Sequence, residues 1–521
     1  MNQEELYKLQ KKADEYIASK NSEGIVEIIN KIEDTIENEI QLKTSLYYIL
    51  GNCYKKLHLI KVKKENNFWD YEQNELFKSI YYHRKYIGKE EFKHLDLPLK
   101  IGLLTNLGNS FNRYGRPIEA IRYFDKAFFE HNFEKELKSK NIIYENFLIL
   151  LVNKGGILED YAKERYDNML NSHILNKESY KYFIKAIKKI DLYIEKLDNN
   201  LTHTYINNIK KTVEKKCKSL EDFYGLDFLN ENEMYDEYEL SKNKKEKKYQ
   251  KWCLQNKLYL NPMNDIKSYP IDCKDILNLP TLTTPIESGF PIYITYFNQI
   301  KQEFAFNRSL LYEGLNSITK KFYENQINVT DDFDHNLYDM NVEKLKISFR
   351  GFYGLFDKIS FLLNKYFKLE IDDNEVNFNR IWREDKYSKK INPKFINLNN
   401  FAIKGLYLIN RDINFTKKDK EDNKNEFYMS LEPELKDIAE IRNHLEHKFL
   451  MVKAFKSIED SDREREYYKL TEDELINKTI RLAQLTREAI IYTSLAIHIE
   501  EREFKMHDEL SIGHDLEIYQ K

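Results

Sequence analysis

The amino-acid sequence predicts an all-α protein in two parts, an N-terminal helical solenoid followed by a C-terminal helical bundle. Three observations predict it. Gly and Pro number only 15 and 9 in 521 residues, while Lys, Asn, Ile, Glu and Tyr are abundant, a balance that favours helix. Apolar residues recur at threes and fours over long segments on both sides of the chain's middle. Five of the nine prolines crowd into residues 261–291, where each removes a backbone donor and restricts its neighbour. That crowding sets the expected division: a repeat domain over 1–229, an ordered Pro-rich connector over 230–291 and a bundle over 292–521.

The strongest N-terminal signal is "LLTNLGNSFNRYGRPIEAIRYFDKAFF", residues 103–129. It reads as helix, turn, helix. Gly108 and Ala120 let the two helices approach closely, and Phe111 and Phe124 fill the space between neighbouring pairs. The stretch resembles a tetratricopeptide repeat, with Asn132 in place of the final proline. A second copy starts at "YYILGNCYKKL", where Leu50, Gly51 and Tyr54 repeat the spacing. It is then interrupted by "KVKKENNFWDYEQ" before "ELFKSIYYHRKYI" supplies its second helix. Residues 1–40 and 142–224 read as further amphipathic helices of weaker repeat character. An ordinary helical bundle is the alternative for this half.

Composition bounds the partners. With 83 Lys+Arg against 86 Asp+Glu the net charge is −3, so any surface for nucleic acid has to be local. Cys53, Cys217, Cys253 and Cys273 show no CxxC spacing, against a structural zinc site or a disulfide framework. The longest apolar runs, "FLILLV" and "AIIYTSLAIHI", fall short of the ~18 residues of a membrane span. A cytoplasmic protein with reduced thiols and no membrane partner is expected. No Walker-type loop, GxSxG elbow, HExxH pair or kinase motif is present.

In the C-terminal part, helices are expected at 292–325, 339–369, 395–412, 431–455 and 471–505, with Thr471 and Glu474 in capping-box spacing before the last. The polar loop "TKKDKEDNKNE" precedes the fourth. On that fourth helix Ile438, Ile441, Leu445 and Phe449 form the expected buried stripe. Glu440, Asn443, His444 and His447 cluster on another side, with Arg442 about 140° round the axis from His447.

The segment "RNHLEH" matches the Arg, polar residue, three variable residues, His pattern of HEPN domains, helical bundles often found as ribonucleases in prokaryotic defence and toxin systems. "KWCLQNKLYLNPMNDI", "YFNQIKQEFAFNRSLLYEG" and "SFRGFYGLFDKISFLLNKYF" resemble a branch in which a tetratricopeptide-like half is fused to such a domain. Arg502 and His507 repeat the bare spacing but lack the Asn and the apolar stripe. The resemblance implies a homodimer whose two motif helices face each other, so that two Arg442 and two His447 line one cleft on an RNA substrate. It also implies a setting in antiviral defence or abortive infection; separately, the concave surface of a solenoid is the expected sensor, for a protein trigger or partner.

The residue types fit that chemistry. Metal-free RNA cleavage needs a base for the ribose 2'-OH, an acid for the departing 5'-oxygen and a cation for the phosphorane. Imidazoles supply the first two near neutral pH, and a guanidinium binds two phosphate oxygens at once. Asn443 would orient the histidine or the phosphate, or else make a surface hydrogen bond. His444 and Glu446 are supporting candidates. On the helix 339–369, Lys346, Arg350, Tyr353 and Asp357 recur at helical spacing and either line the cleft or form an internal polar network. His444 and His447 stand at i,i+3 with only Glu440 and Glu446 near, so neither a metal nor another cofactor is expected. The competing reading is a non-catalytic scaffold that uses the bundle for dimerisation or RNA binding.

Overall fold

The computed structural model is 76% helical with almost no strand, which bears out the all-α expectation. It describes residues 2–36, 42–85, 87, 90–138, 145–163, 169–195, 200–231, 239–266, 270–280, 282, 292–316, 326–330, 335–388, 390–414, 437–455 and 466–504. The loop at 416–426, the end of the helix expected to reach 325, and His507 lie outside them. The chain folds as two units, Met1–Met234 and Tyr235–Lys417 with Glu432–Lys521.

In the first unit, α1 (Gln3–Ser19) and α2 (Ser22–Thr35) lead into α3 (Lys43–Glu65) and α4 (Asn74–Arg84). After the short α5 (Glu90–Lys93) come α6 (Leu97–Tyr114), α7 (Pro117–Lys138), α8 (Glu145–Lys163) and α9 (Met169–Ile194). The long α10 (Asn200–Tyr224) and short α11 (Leu226–Asn230) close the unit. α3 pairs with α4, α6 with α7, and α8 with α9.

The same packing device recurs in the three hairpins. A glycine on the first helix faces a ring on the second: Gly51 faces His83, Gly108 faces Phe124, and Gly155 faces Phe183. Four residues before each ring sits a small side chain. Ser79 Oγ donates to the Gly51 carbonyl at 2.8 Å and Ser179 Oγ to that of Gly155 at 2.7 Å, while Ala120 occupies the same place beside Gly108. The third hairpin escapes a sequence reading because Leu158 stands where an aromatic residue follows the glycine in the other two. Neighbouring glycines therefore differ in consequence. A methyl on Gly155 would stand 2.5 Å from the fully buried Phe183 ring, whereas one on Gly156 would meet nothing within 4 Å. Gly155→Ala is expected to cost about 1–3 kcal/mol by overpacking. Gly156→Ala is expected to gain about 0.5–1 kcal/mol by removing backbone freedom. Thermal melting of the two variants checks the opposite signs.

The second unit is a helical bundle. Its N-terminal part comprises α12 (Lys244–Gln255) and 3-10 turns at Pro262–Asp265 and Pro270–Asp272. The bundle proper contains α13 (Ile292–Asn316), α14 (Met340–Tyr366), α15 (Pro393–Ile396), α16 (Phe401–Ile413), α17 (Ile438–His447) and α18 (Glu472–Phe504). α13 and α14 pack side by side, and α18 covers α14 and α16. The core between them includes Phe304, Leu345, Phe349, Phe352, Leu485 and Ile490, all fully buried. Two arginines fasten the Pro-rich segment to these helices. Arg308 of α13 holds Asp275 through both carboxylate oxygens, at 2.8 and 2.7 Å. Arg487 of α18, 2% exposed, holds Asp265 at 2.6 Å and also donates to the carbonyls of Tyr259 and Asn261.

The structure corrects two helix spans. Expected as one helix to 455, the motif segment stops at His447 and continues as β1 (Phe449–Lys453), which pairs in parallel with β2 (Tyr467–Thr471). The reason is a change of period. Leu450 and Val452 are buried in alternation, and Phe449, assigned to the helical stripe, is 72% exposed. The segment 335–337 lies on β1's other edge, with Leu337 N–H donating to the Val452 carbonyl at 2.7 Å. The helix expected from 395 likewise breaks in two, because the Asn400 side chain caps a new start at Phe401. The Thr471 and Glu474 capping box is formed as expected and starts α18.

Candidate active site

α17 is ten residues long, and too short to be stable alone. Its placement rests on Ile438, Ile441 and Leu445, buried at threes and fours, and on a tie at either end. Asp437, at its N-terminus, pairs with Lys478 of α18 at 3.7 Å. At the other end Arg350 Nη2 of α14 donates to the Leu445 carbonyl at 2.6 Å, satisfying one of the acceptors that a helix terminus leaves open. With that stripe inward, Arg442, Asn443, Glu446 and His447 are carried outward.

Arg442 is half-buried, its guanidinium 5.4 Å from the centre of the Tyr353 ring on α14. A cation over an aromatic face is held there electrostatically. Tyr353 is itself fixed, its hydroxyl donating to Asn414 Oδ1 at 3.1 Å. Burial, with Asp357 next in weight, pushes the phenol up to about 12 against the pull of Arg442, so it stays a neutral donor. Asp357, one turn further along α14, is pushed up by burial. The Phe378 N–H, donating to it at 3.1 Å, and the charge of Arg442 both pull the other way. Arg442 also donates to Asn443 Oδ1 at 3.3 Å.

The structure thus brings Arg442, Asn443, Tyr353 and Asp357 together, and sets Arg350 against the end of the same helix. It does not bring His444 there. His444 is 5% exposed, its Nδ1 bonded to the Glu440 carbonyl at 2.8 Å and its ring 5.8 Å from that of Tyr468. Glu446 is exposed and forms no ion pair with Arg442 among the described residues. His447, the last residue of α17, is exposed, and no described residue bonds its ring. Asn414, which fixes Tyr353, carries no sequence signal: it lies just beyond the end of α16, outside any motif. Among the described residues no three His, Cys, Asp or Glu side chains are grouped to hold a metal.

A short helix thus ends in Arg-Asn-x3-His and seats its arginine on the long α14. Residues 284–500 match the LA2681-like HEPN family. The C-terminal unit therefore contains an HEPN domain, running from ahead of α13 through most of α18. That match suggests a nuclease or RNA-related role for the domain. Comparison with curated proteins and with solved structures finds no match. Among the described residues no helix is long and apolar enough to cross a membrane.

The raised Asp357 carboxyl has a measurable consequence. Its folded-state value exceeds the unfolded one, so between the two the folded protein binds more protons and stability falls as pH rises. The cost is absent below the ordinary carboxylate range and complete above the folded value. Asp357→Asn, which keeps an acceptor for Phe378, is expected to raise the melting temperature at pH 7 and leave it unchanged near pH 3. Melting curves at both values check the sign.

Proposed function

We propose that the HEPN domain is a metal-independent endoribonuclease that works as a homodimer. One observation supports this best: Arg442 is seated over Tyr353 at the edge of α17, in the field of Asp357, while His447 projects unengaged from the last turn of the same helix. That leaves one positioned cation and one free imidazole per chain. Two chains with their motif helices facing each other would supply two of each. One His447 then takes the proton of the ribose 2'-OH as the oxygen attacks phosphorus, and the other protonates the departing 5'-oxygen. Arg442 holds the two non-bridging oxygens as negative charge gathers on them. The products are a 2',3'-cyclic phosphate and a 5'-hydroxyl. Asn443, hydrogen-bonded to Arg442, orients the guanidinium, and Arg350 holds the end of the helix that carries His447. His444, buried, acts as a packing residue, and Glu446 has no assigned part.

The N-terminal hairpins, read as tetratricopeptide-like repeats, would receive a protein trigger and restrain the nuclease in the cytoplasm until infection, in the manner of an abortive defence. The deciding experiment is cleavage of a mixed RNA pool by the purified protein in excess EDTA, with the product ends analysed. Cyclic-phosphate ends are expected. Cleavage that EDTA abolishes, or products ending in a 3'-hydroxyl, would overturn the metal-independent mechanism. A stable RNA complex without cleavage, with a trigger present, would instead establish the scaffold reading.

A further inference from the structure

The strands β1 and β2 turn an aromatic face to water beside the motif helix. Successive residues of a strand point to opposite sides. Leu450 and Val452 of β1, with Tyr468 and Leu470 of β2, point inward and are buried. Their alternates point outward: Phe449 and Met451 on β1 and, opposite them in register, Tyr467 and Lys469 on β2. Phe449 is 72% exposed, and the other three are half-buried. The segment 335–337 widens the same face. Asn336 bridges Lys453 in the antiparallel sense, which sets Tyr338, two positions on, level with Met451 and on its side. Tyr338 is 58% exposed.

A sheet side in contact with water is ordinarily polar, and contiguous apolar surface left exposed marks a place of interaction. Here the rings of Tyr338, Phe449 and Tyr467 and the thioether of Met451 accompany one cation. The Lys469 ammonium lies 5.2 Å from the centre of the Tyr467 ring. No carboxylate stands at these outward positions. The face is open at one end only. Lys453, the next outward position on β1, is 3% exposed, so the open part is the part nearest His447. Phe449 follows His447 by two residues, which limits their Cα separation to about 7 Å.

Rings open to stacking, with a cation beside them to meet phosphate, suit an unpaired RNA strand. Every base has a π-face, and aromatic side chains on an open sheet hold successive bases by it. In a duplex those faces are already stacked on their neighbours. We infer that this sheet face is a stacking platform for unpaired bases next to the cleaved phosphate, with Phe449 as its first ring and Lys469 on the backbone. The platform selects an unpaired strand over a duplex at the site. It rests on the reading of the domain as one that engages RNA, and it needs no cleavage to be tested. A second copy of the chain is the rival occupant. The lysine at the centre of the face disfavours it, because lysine is depleted from the core of protein contacts.

The test uses the full chain carrying His447→Ala, which leaves RNA whole, and reads the binding of a short labelled oligoadenylate by fluorescence anisotropy. The same strand annealed to oligouridine and an abasic oligomer of the same backbone are measured beside it. The unpaired strand is expected to bind more tightly than both. Adding Phe449→Ala should raise its Kd by about 5–150-fold, the range for removing one base-stacking ring, while Phe449→Trp should keep the affinity. Lys469→Gln should reduce the slope of log affinity against log salt by about 0.7, one phosphate contact. The platform is overturned if the unpaired strand does not bind, if the duplex or the abasic oligomer binds as well, or if Phe449→Ala binds as well as its parent. A change of oligomeric state or a lower melting temperature with Phe449→Ala would overturn it too, assigning the ring to a subunit contact or to the fold. Because binding is read without cleavage, an inactive wild-type protein would sink the nuclease reading and leave the platform standing.

Discussion

His447→Ala is expected to slow single-turnover RNA cleavage by about 10²–10⁴-fold, the range set by losing a positioned acid or base. Arg442→Ala should cost about 10²–10³-fold through lost charge stabilisation. Arg442→Lys should recover little of it. A lysine keeps the charge, but it loses the planar fork that grips two phosphate oxygens and the stack on Tyr353. His447 is exposed, so its removal should leave the melting temperature and the dimer untouched, which separates lost chemistry from lost fold. Equal cleavage by all four proteins would remove the motif helix from the mechanism.

Breaking the Arg487–Asp265 pair carries the largest expected cost in stability. Arg487→Met leaves the buried Asp265 carboxylate and the Tyr259 carbonyl without this donor, while the Asn261 carbonyl keeps only the Asn264 N–H. Removing one partner of a buried pair costs about 3–5 kcal/mol. Arg487→Met with Asp265→Leu should cost less than Arg487→Met alone, since no unpaired charge remains. Because a chain of two units need not unfold in one step, the readout is amide exchange over 258–277. Loss of protection confined to that segment and to neighbouring α18 is expected from the single variant. Unchanged protection would show that the pair does not hold the segment.

Helix content and the order of the helices were legible because they depend on local spacing. Ile438, Ile441 and Leu445 announce a buried face, and Thr471 with Glu474 announces a start. What escaped depends on distance along the chain. The run Phe449–Lys453 contains apolar residues that also suit a helical stripe, and only its neighbours at 335–337 and 467–471 decide for a strand. Equally, Tyr353, Asp357 and Arg350 recur at helical spacing, which leaves open whether they face a cleft or a core. Their meeting with Arg442 and Leu445 depends on how α14 crosses α17, a relation between residues about ninety apart. In the N-terminal unit, loops of unequal length hide a constant spacing: Gly51, Gly108 and Gly155 each face a ring that has a small residue four positions before it.

β2 runs without a break into α18, and α18 is clamped at Arg487, some fifteen residues on. At 1.5 Å per residue that is a rigid arm of about 22 Å. Its N-terminal end, also tied to α17 through Lys478 and Asp437, is hydrogen-bonded through β1 to Phe449, two positions from His447. A tilt of about 3° about the clamp translates the ladder by about 1 Å, and in an enzyme active site a misplacement of that size costs about 10²-fold in rate. Such an arm magnifies small rotations, so substitutions near Arg487, far along the chain from the histidine, would act on turnover as well as on folding.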